Sequence, residues 1–157
     1  MIDERALWNI SAGVYLFTCT DADGKRPIGR TIDAVSQANA KPAIITVSLH
    51  KGGHSSHVVK PFGHFSLTVL AKDAPMDLIK GFGLRSSKDN DKFAGLEVRH
   101  DEQGVPWVAD GALSQISCDV KAILDEGDHL LILGEVTGSQ VLAQGEPMTY
   151  GYYRSLK

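Results

Sequence analysis

Arg30, Lys51 and Ser55 supply a guanidinium, an ammonium and a hydroxyl, three groups that donate hydrogen bonds to an anion. Ser55 also stands where a short helix is predicted to begin, and the positive end of that helix would add to them. Upstream, the run Gly29-Arg30-Thr31-Ile32-Asp33-Ala34-Val35-Ser36-Gln37 sets a β-disfavoured Asp inside a strand-like stretch. After Pro42 an apolar strand ends in Ser48-Leu49-His50-Lys51. Hydroxyls and basic groups gathered where a strand ends and a helix begins suit a phosphorylated ligand better than a plain core.

Other chemistry is sparse. His54 and His57 are three apart, close to one helical turn, and with His50 they make a candidate metal cluster. Nothing nearby adds a carboxylate or thiolate at ligand spacing, so the expectation is no metal. No catalytic triad or pair of carboxylates stands out. Cys19 and Cys118 lie far apart in strand-like segments, where a reduced thiol acts as a small apolar core residue.

The elements that must position these groups are mostly strands. Asp3 can cap a short helix through Asn9, and Gly13 to Cys19 reads as a strand. A turn at Asp21 to Gly24 then returns the chain as a second strand from Pro27 to Val35. Ala43 to Leu49 puts Ile45, Val47 and Leu49 on one face and Thr46 and Ser48 on the other. His54 to Val59 is predicted as a helix that stops before Pro61, and Gly63 to Leu70 as a strand.

Pro75 opens a helix that Gly81 and Gly83 close around Phe82, and the polar loop from Ser86 to Asp91 comes next. Ala112 to Leu124 alternates as a half-buried strand, with Gln115, Ser117, Asp119 and Lys121 on its polar side. Asp128 to Leu142 is a long strand that Gly134 and Gly138 bend or bulge. Many strands, tight turns and few short helices describe a mainly β fold, a small split or closed β-barrel with short peripheral helices.

At 157 residues and 43% hydrophobic, the chain suits one domain over residues 1–157. A net charge of −3 gives no sequence-wide attraction for phosphate backbones, so nucleic acid is not an expected partner. No run approaches the ~18 apolar residues of a membrane span, and the start Met1-Ile2-Asp3-Glu4-Arg5 has no apolar leader core. A cytoplasmic protein without a membrane partner is the expectation.

The order of these segments resembles the flavin reductase-like family, whose fold is the FMN-binding split barrel. The resemblance rests on Thr31 to Gln37, on Pro42 to Leu49 with Lys51 and Ser55, on Phe82-Gly83 with Ser86 and Asp91-Lys92-Phe93, and on Gly127-Asp128-His129 before Gly134-Glu135-Val136. The C-terminal Pro147 to Tyr153 is most similar to the branch with flavoredoxin and the flavin domain of high-molecular-weight rubredoxins. His50 and Ser87 depart from that branch, which carries Asn and Gly there.

The resemblance implies FMN as cofactor, with FAD possible, NAD(P)H as reductant, and a homodimer with sites at the subunit interface. It assigns the phosphate to Arg30, Lys51 and Ser55, and the ribityl chain and ring edge to Thr31, Asp33 and Ala34. Ser48, Leu49 and His50 would meet the ring, Phe82, Ser86 and Lys88 would close over it or reach the phosphate, and His129 would face the nicotinamide. The implied activity is NAD(P)H-dependent flavin reduction, with an electron-acceptor protein as a further partner. Two alternatives stay open: an FMN electron carrier reduced by a partner protein, and a flavin-free barrel whose His cluster binds metal or haem.

Overall fold

The computed structural model describes residues 1–60 and 63–157. Helix α1 (Glu4–Leu7) is a single turn, capped by the Asp3 carboxylate, which accepts from the Arg5 N–H at 3.1 Å. Strands β1 (Tyr15–Thr20) and β2 (Pro27–Ile32) form the expected hairpin. Its turn uses Gly24 at φ 70°, a left-handed conformation that glycine adopts without strain.

The strand expected to run to Val35 breaks at Asp33-Ala34. Beyond the break the chain forms a separate strand, β3 (Val35–Ala40), which pairs antiparallel with β4 (Ala43–His50). Ile45, Val47 and Leu49 are buried on the predicted face of β4. Helix α2 (His54–Val58) is only five residues long, and its expected stop at Pro61 lies outside the described residues.

The chain continues as β5 (His64–Leu70) and α3 (Met76–Gly83). In α3, Pro75 is the residue before the first turn, and Gly81 lies within the helix rather than ending it. A hairpin of two three-residue strands, β6 (Val98–His100) and β7 (Pro106–Val108), precedes the long strands β8 (Ala112–Glu126) and β9 (His129–Val141). Helix α4 (Tyr150–Ser155), capped by Thr149, ends the fold. The short β6, β7 and α4 carry too few residues to show a period in the sequence.

The main sheet runs β2-β1-β5-β8-β9-β4-β3. Phe17, Ile28, Phe65, Cys118, Ile132, Val47 and Leu49 share one core cluster. Strands β2 and β4 are far apart in that order yet bury side chains together, so the sheet is rolled into a barrel. No ladder joins β2 to β4 among the described residues. Their seam is crossed by the Arg30 guanidinium, whose Nη1 donates to the His50 carbonyl at 2.9 Å.

A second core lies on the outer face, where Leu16 and Leu70 meet Leu78, Ile79 and Phe82 of α3, and Val108 and Met148. Each such fully buried large side chain is worth about 1.5–3 kcal/mol relative to exposure. Strands β1 and β5 are therefore covered on both sides, which is why Thr18, Ser66 and Thr68 are fully buried too.

The polar side of β8 is likewise covered at its start. Gln115 Nε2 donates to Ser66 Oγ and Ser117 Oγ, each at 2.8 Å, and Ser117 Oγ donates to Asp101 beside the β6–β7 hairpin at 2.7 Å. The expected half-burial of β8 is thus exceeded there. Its register with β9 shifts at Ser117/Cys118 and Val120/Ala122, opposite Gly138 and Gly134. A Cβ on Gly134 would stand 2.5 Å from the Phe65 ring, so the barrel wall closes on that ring only because glycine leaves the space.

Candidate flavin site at the barrel seam

A cleft of about 370 Å³ opens where the β2–β4 seam meets α3 and the loop after it. Arg30 enters from β2, His50, Gly53 and Ser55 from the turn after β4 and α2, and Arg85, Ser86, Ser87 and Lys92 from the loop after α3. Among the described residues no carboxylate lines it.

The cations are held in place by backbone. Arg30 is fixed by the His50 carbonyl and passes over Gly53, where a Cβ would stand 2.1 Å from Nη1. The buried Lys92 ammonium donates to the carbonyls of Gly29 and Phe82, each at 2.9 Å. Burial first, and then the Arg30 and Arg85 charges, push its pKa down to about 8. Burial also lowers the pKa of Arg30. Positive charge is crowded here with no counter-charge built into the wall.

Ser55 is 2% exposed, and its Oγ is one of two buried side-chain polar atoms without a partner among the described residues. A buried hydroxyl without a partner costs free energy unless a ligand satisfies it. The orphan donor, the surrounding cations and the missing carboxylates together fit a phosphate group of a flavin nucleotide. Helix α2 is too short to add the dipole expected of it.

The structure brings Arg30, His50, Ser55, Phe82 and Ser86 together at this cleft. Phe82 is 1% exposed, and its ring packs edge-on against Phe93 with centroids 5.1 Å apart, so it forms floor rather than cover. Lys51 is placed elsewhere: its ammonium pairs with Asp125 and donates to the Gly127 carbonyl at 2.6 Å. The register that sets His50 opposite His129 carries Lys51 to the β8–β9 turn, where Asp125 captures it.

Lys88 is exposed and outside the cleft, its carbonyl accepting from Arg26 at 2.9 Å. Thr31 Oγ1 donates to the Ile79 carbonyl at 2.8 Å and ties α3 to β2. The Ala34 carbonyl accepts from the Ser48 N–H at 3.0 Å, and Leu49 is a fully buried core residue whose side chain points into the barrel cluster. Asp33 lines a different cleft, beside Trp8 and Tyr150.

His129 lies beside His50, the two rings edge to face with centroids 5.2 Å apart. Its Nδ1 bonds to Asp128 at 2.6 Å, while His50 Nδ1 accepts from the Gly52 N–H at 3.0 Å. Among the described residues neither Nε2 has a hydrogen-bond partner. Among the described residues no group of three His, Cys, Asp or Glu side chains is placed to hold a metal ion, and His50, His54 and His57 form none. Burial pushes the Cys19 and Cys118 thiols up to about 12, which leaves them unreactive.

Sequence reasoning did not assign Arg85, Ser87 or Lys92 to a ligand. Lys92 stood in a singled-out motif, but nothing in its neighbours announces that its ammonium turns inward.

A rolled antiparallel barrel with a cation-lined cleft at its seam defines a class of protein built to hold a phosphorylated ligand. Residues 7–157 match the family described as flavin reductase like domain, and the chain belongs to that family. It is 35% identical over 156 residues to a high molecular weight rubredoxin of Moorella thermoacetica, covering 99% of this chain and 67% of the relative. A ferric-chelate reductase (NAD(P)H) of Archaeoglobus fulgidus is also 35% identical over 156 residues, covering 99% and 91%. An NADH:FAD oxidoreductase of Streptomyces globisporus, 21% identical, superposes with a TM-score of 0.82 over 98% of this chain and 94% of that one, which establishes the shared fold. No helix among the described residues is long and apolar enough to cross a membrane.

Proposed function

We propose that the protein is an NAD(P)H-dependent flavin reductase that binds FMN at the barrel seam. The observation that carries this is the unpartnered Ser55 hydroxyl, buried in a cation-lined cleft that holds no carboxylate among the described residues. Bound flavin supplies the hydride-accepting ring, so no acid or nucleophile is required of the chain. Arg30, Arg85, Lys92 and Ser55 hold the phosphate, Ser86 borders it, and Thr31 on β2, with Asp33 and Ala34 just past its end, leads toward the ring. His129, whose Nδ1–H is held by the Asp128 carboxylate, accepts at Nε2 from the nicotinamide carboxamide N–H.

The relatives support nicotinamide as reductant: one is a ferric-chelate reductase (NAD(P)H). A 29% identical relative from Mycobacterium tuberculosis is the reductase subunit of a flavin-dependent monooxygenase, which supports an acceptor protein downstream here. Strand β3, exposed over most of its length at the sheet edge, suits a homodimer contact. Anaerobic mixing of the FMN-loaded protein with NADH and with NADPH tests the activity. Bleaching of flavin absorbance by either nucleotide is expected. A flavin that stays oxidised with both would replace the reductase by a carrier reduced by a partner protein.

A further inference from the structure

We infer that Lys92 is a site of acylation by small acyl phosphates, which the seam cleft seats by their phosphate group when flavin is absent. The assignment rests on the phosphate site proposed above. Lys92 is 6% exposed, yet it lines the cleft together with Arg30, Ser55, Arg85 and Ser86. Its Nζ donates to the carbonyls of Gly29 and Phe82, and among the described residues no carboxylate pairs with it. Beyond its carbon, the nitrogen has three positions. Two face the carbonyls; the third holds a proton in the ammonium and a lone pair in the amine, and the cleft is the space left to it.

Other lysines are held in the protonated form. Lys51 pairs with Asp125, and Glu146 and Glu135 raise the pKa of Lys72 and Lys121. Lys92 has the opposite surroundings: burial, then the Arg30 and Arg85 charges, bring it down to about 8. At pH 7 about a tenth of it is therefore the nucleophilic amine, against about one part in a few thousand for a free lysine. The same two guanidiniums, with the unpartnered Ser55 hydroxyl, are the donors that seat a phosphate.

An acyl phosphate answers both features, since its phosphate matches the guanidiniums and its carbonyl carbon is the electrophile. The amine lone pair attacks that carbon, and the bond from carbon to the bridging phosphate oxygen breaks. Phosphate leaves with the electron pair, steadied by Arg30 and Arg85, and takes the proton that the nitrogen releases. The product is an uncharged N-acyl-lysine. One cation of the flavin phosphate site is then lost, so acylation of the empty protein keeps flavin out.

Acetyl phosphate is the probe, and peptide mass spectrometry after timed exposure gives the rate at each lysine. In flavin-free protein Lys92 should react about tenfold or more faster than the exposed Lys88, at a rate that saturates with acetyl phosphate. Inorganic phosphate and FMN should each protect it. Arg85→Ala should slow this reaction more than the reaction with acetic anhydride, which carries no phosphate. Protein acetylated at Lys92 should bind FMN about tenfold or more weakly. A Lys92 rate no greater than that of Lys88, one that is linear in acetyl phosphate and indifferent to inorganic phosphate, or equal slowing with both reagents would overturn the inference. Tight FMN binding in that same protein would leave the flavin site standing. Saturable acetylation blocked by inorganic phosphate but not by FMN would support the inference and fault the flavin placement instead.

Discussion

The Ser87 hydroxyl accepts from the Gly29 N–H at 3.1 Å and donates to the Gly29 carbonyl at 2.9 Å, so one side chain satisfies both backbone groups of a single residue. Gly29 lies on β2, whose outer edge has no strand partner among the described residues. Ser87 takes the place of a neighbouring strand there, and the same carbonyl also receives Lys92. The loop after α3 is thereby fastened to the strand that carries Arg30.

Ser87→Ala is expected to lower stability by about 1–3 kcal/mol, because it strands a buried N–H rather than removing both partners. Urea unfolding should show a lower midpoint with an unchanged slope. A midpoint equal to that of the native protein would mean the loop relaxes without the bond.

Lys92 is expected to make flavin binding pH-dependent. Its folded pKa, about 8, lies below that of a free ammonium, so protonation is harder in the fold. Between pH 8 and about 10.5 the unfolded chain holds more protons, and stability rises with pH across that window. A phosphate favours the ammonium, so FMN affinity should fall as pH rises through 8. Calorimetry near pH 8.5 in two buffers of different ionisation enthalpy should report proton uptake on binding, and Lys92→Met should remove it.

Ser55→Ala should act differently on the empty and loaded protein. The hydroxyl has no partner among the described residues, so its removal is expected to cost the ligand-free protein no stability. FMN should bind about tenfold or more weakly, from the loss of a hydrogen bond to a charged acceptor worth about 1.5–3 kcal/mol. Equal FMN affinity in variant and native protein would remove Ser55 from the phosphate site.

Gly53→Ala sets a Cβ 2.1 Å from Arg30 Nη1 and must drive the guanidinium off the His50 carbonyl. FMN affinity should drop as in Arg30→Ala, and the double variant should be no worse than Arg30→Ala alone. Additive losses would show that Gly53 acts through the turn rather than through Arg30.

Much of the fold was legible where a local pattern decides it. The two faces of β4, the Asp3 cap and the β1–β2 hairpin come from alternation and turn residues. The bulges beside Gly134 and Gly138 were legible too, since a glycine inside a strand has few other uses. The break at Asp33-Ala34 was not, because it is set by β3 leaving β2 to pair with β4 across the barrel.

The site divides in the same way. Arg30, Ser55 and Ser86 sit in segments whose ends meet at the cleft. Lys51 is a near neighbour of Ser55 in sequence, yet cross-strand register delivers it to Asp125. Lys92 turns inward because the carbonyls of Gly29 and Phe82 await it, and neither is visible from residue 92. Long-range hydrogen bonding, rather than residue type, chose among the candidate cations.

The unladdered seam between β2 and β4 gives the fold a division of labour. Seven strands hold one another through repetitive backbone bonds that are indifferent to side chains, while the seam, among the described residues, is held by side chains: the shared apolar core and the Arg30 guanidinium. Substitutions along that line can retune what is gripped without unravelling the sheet. The barrel can therefore diverge in ligand preference at its unzipped edge while the remainder stays constant.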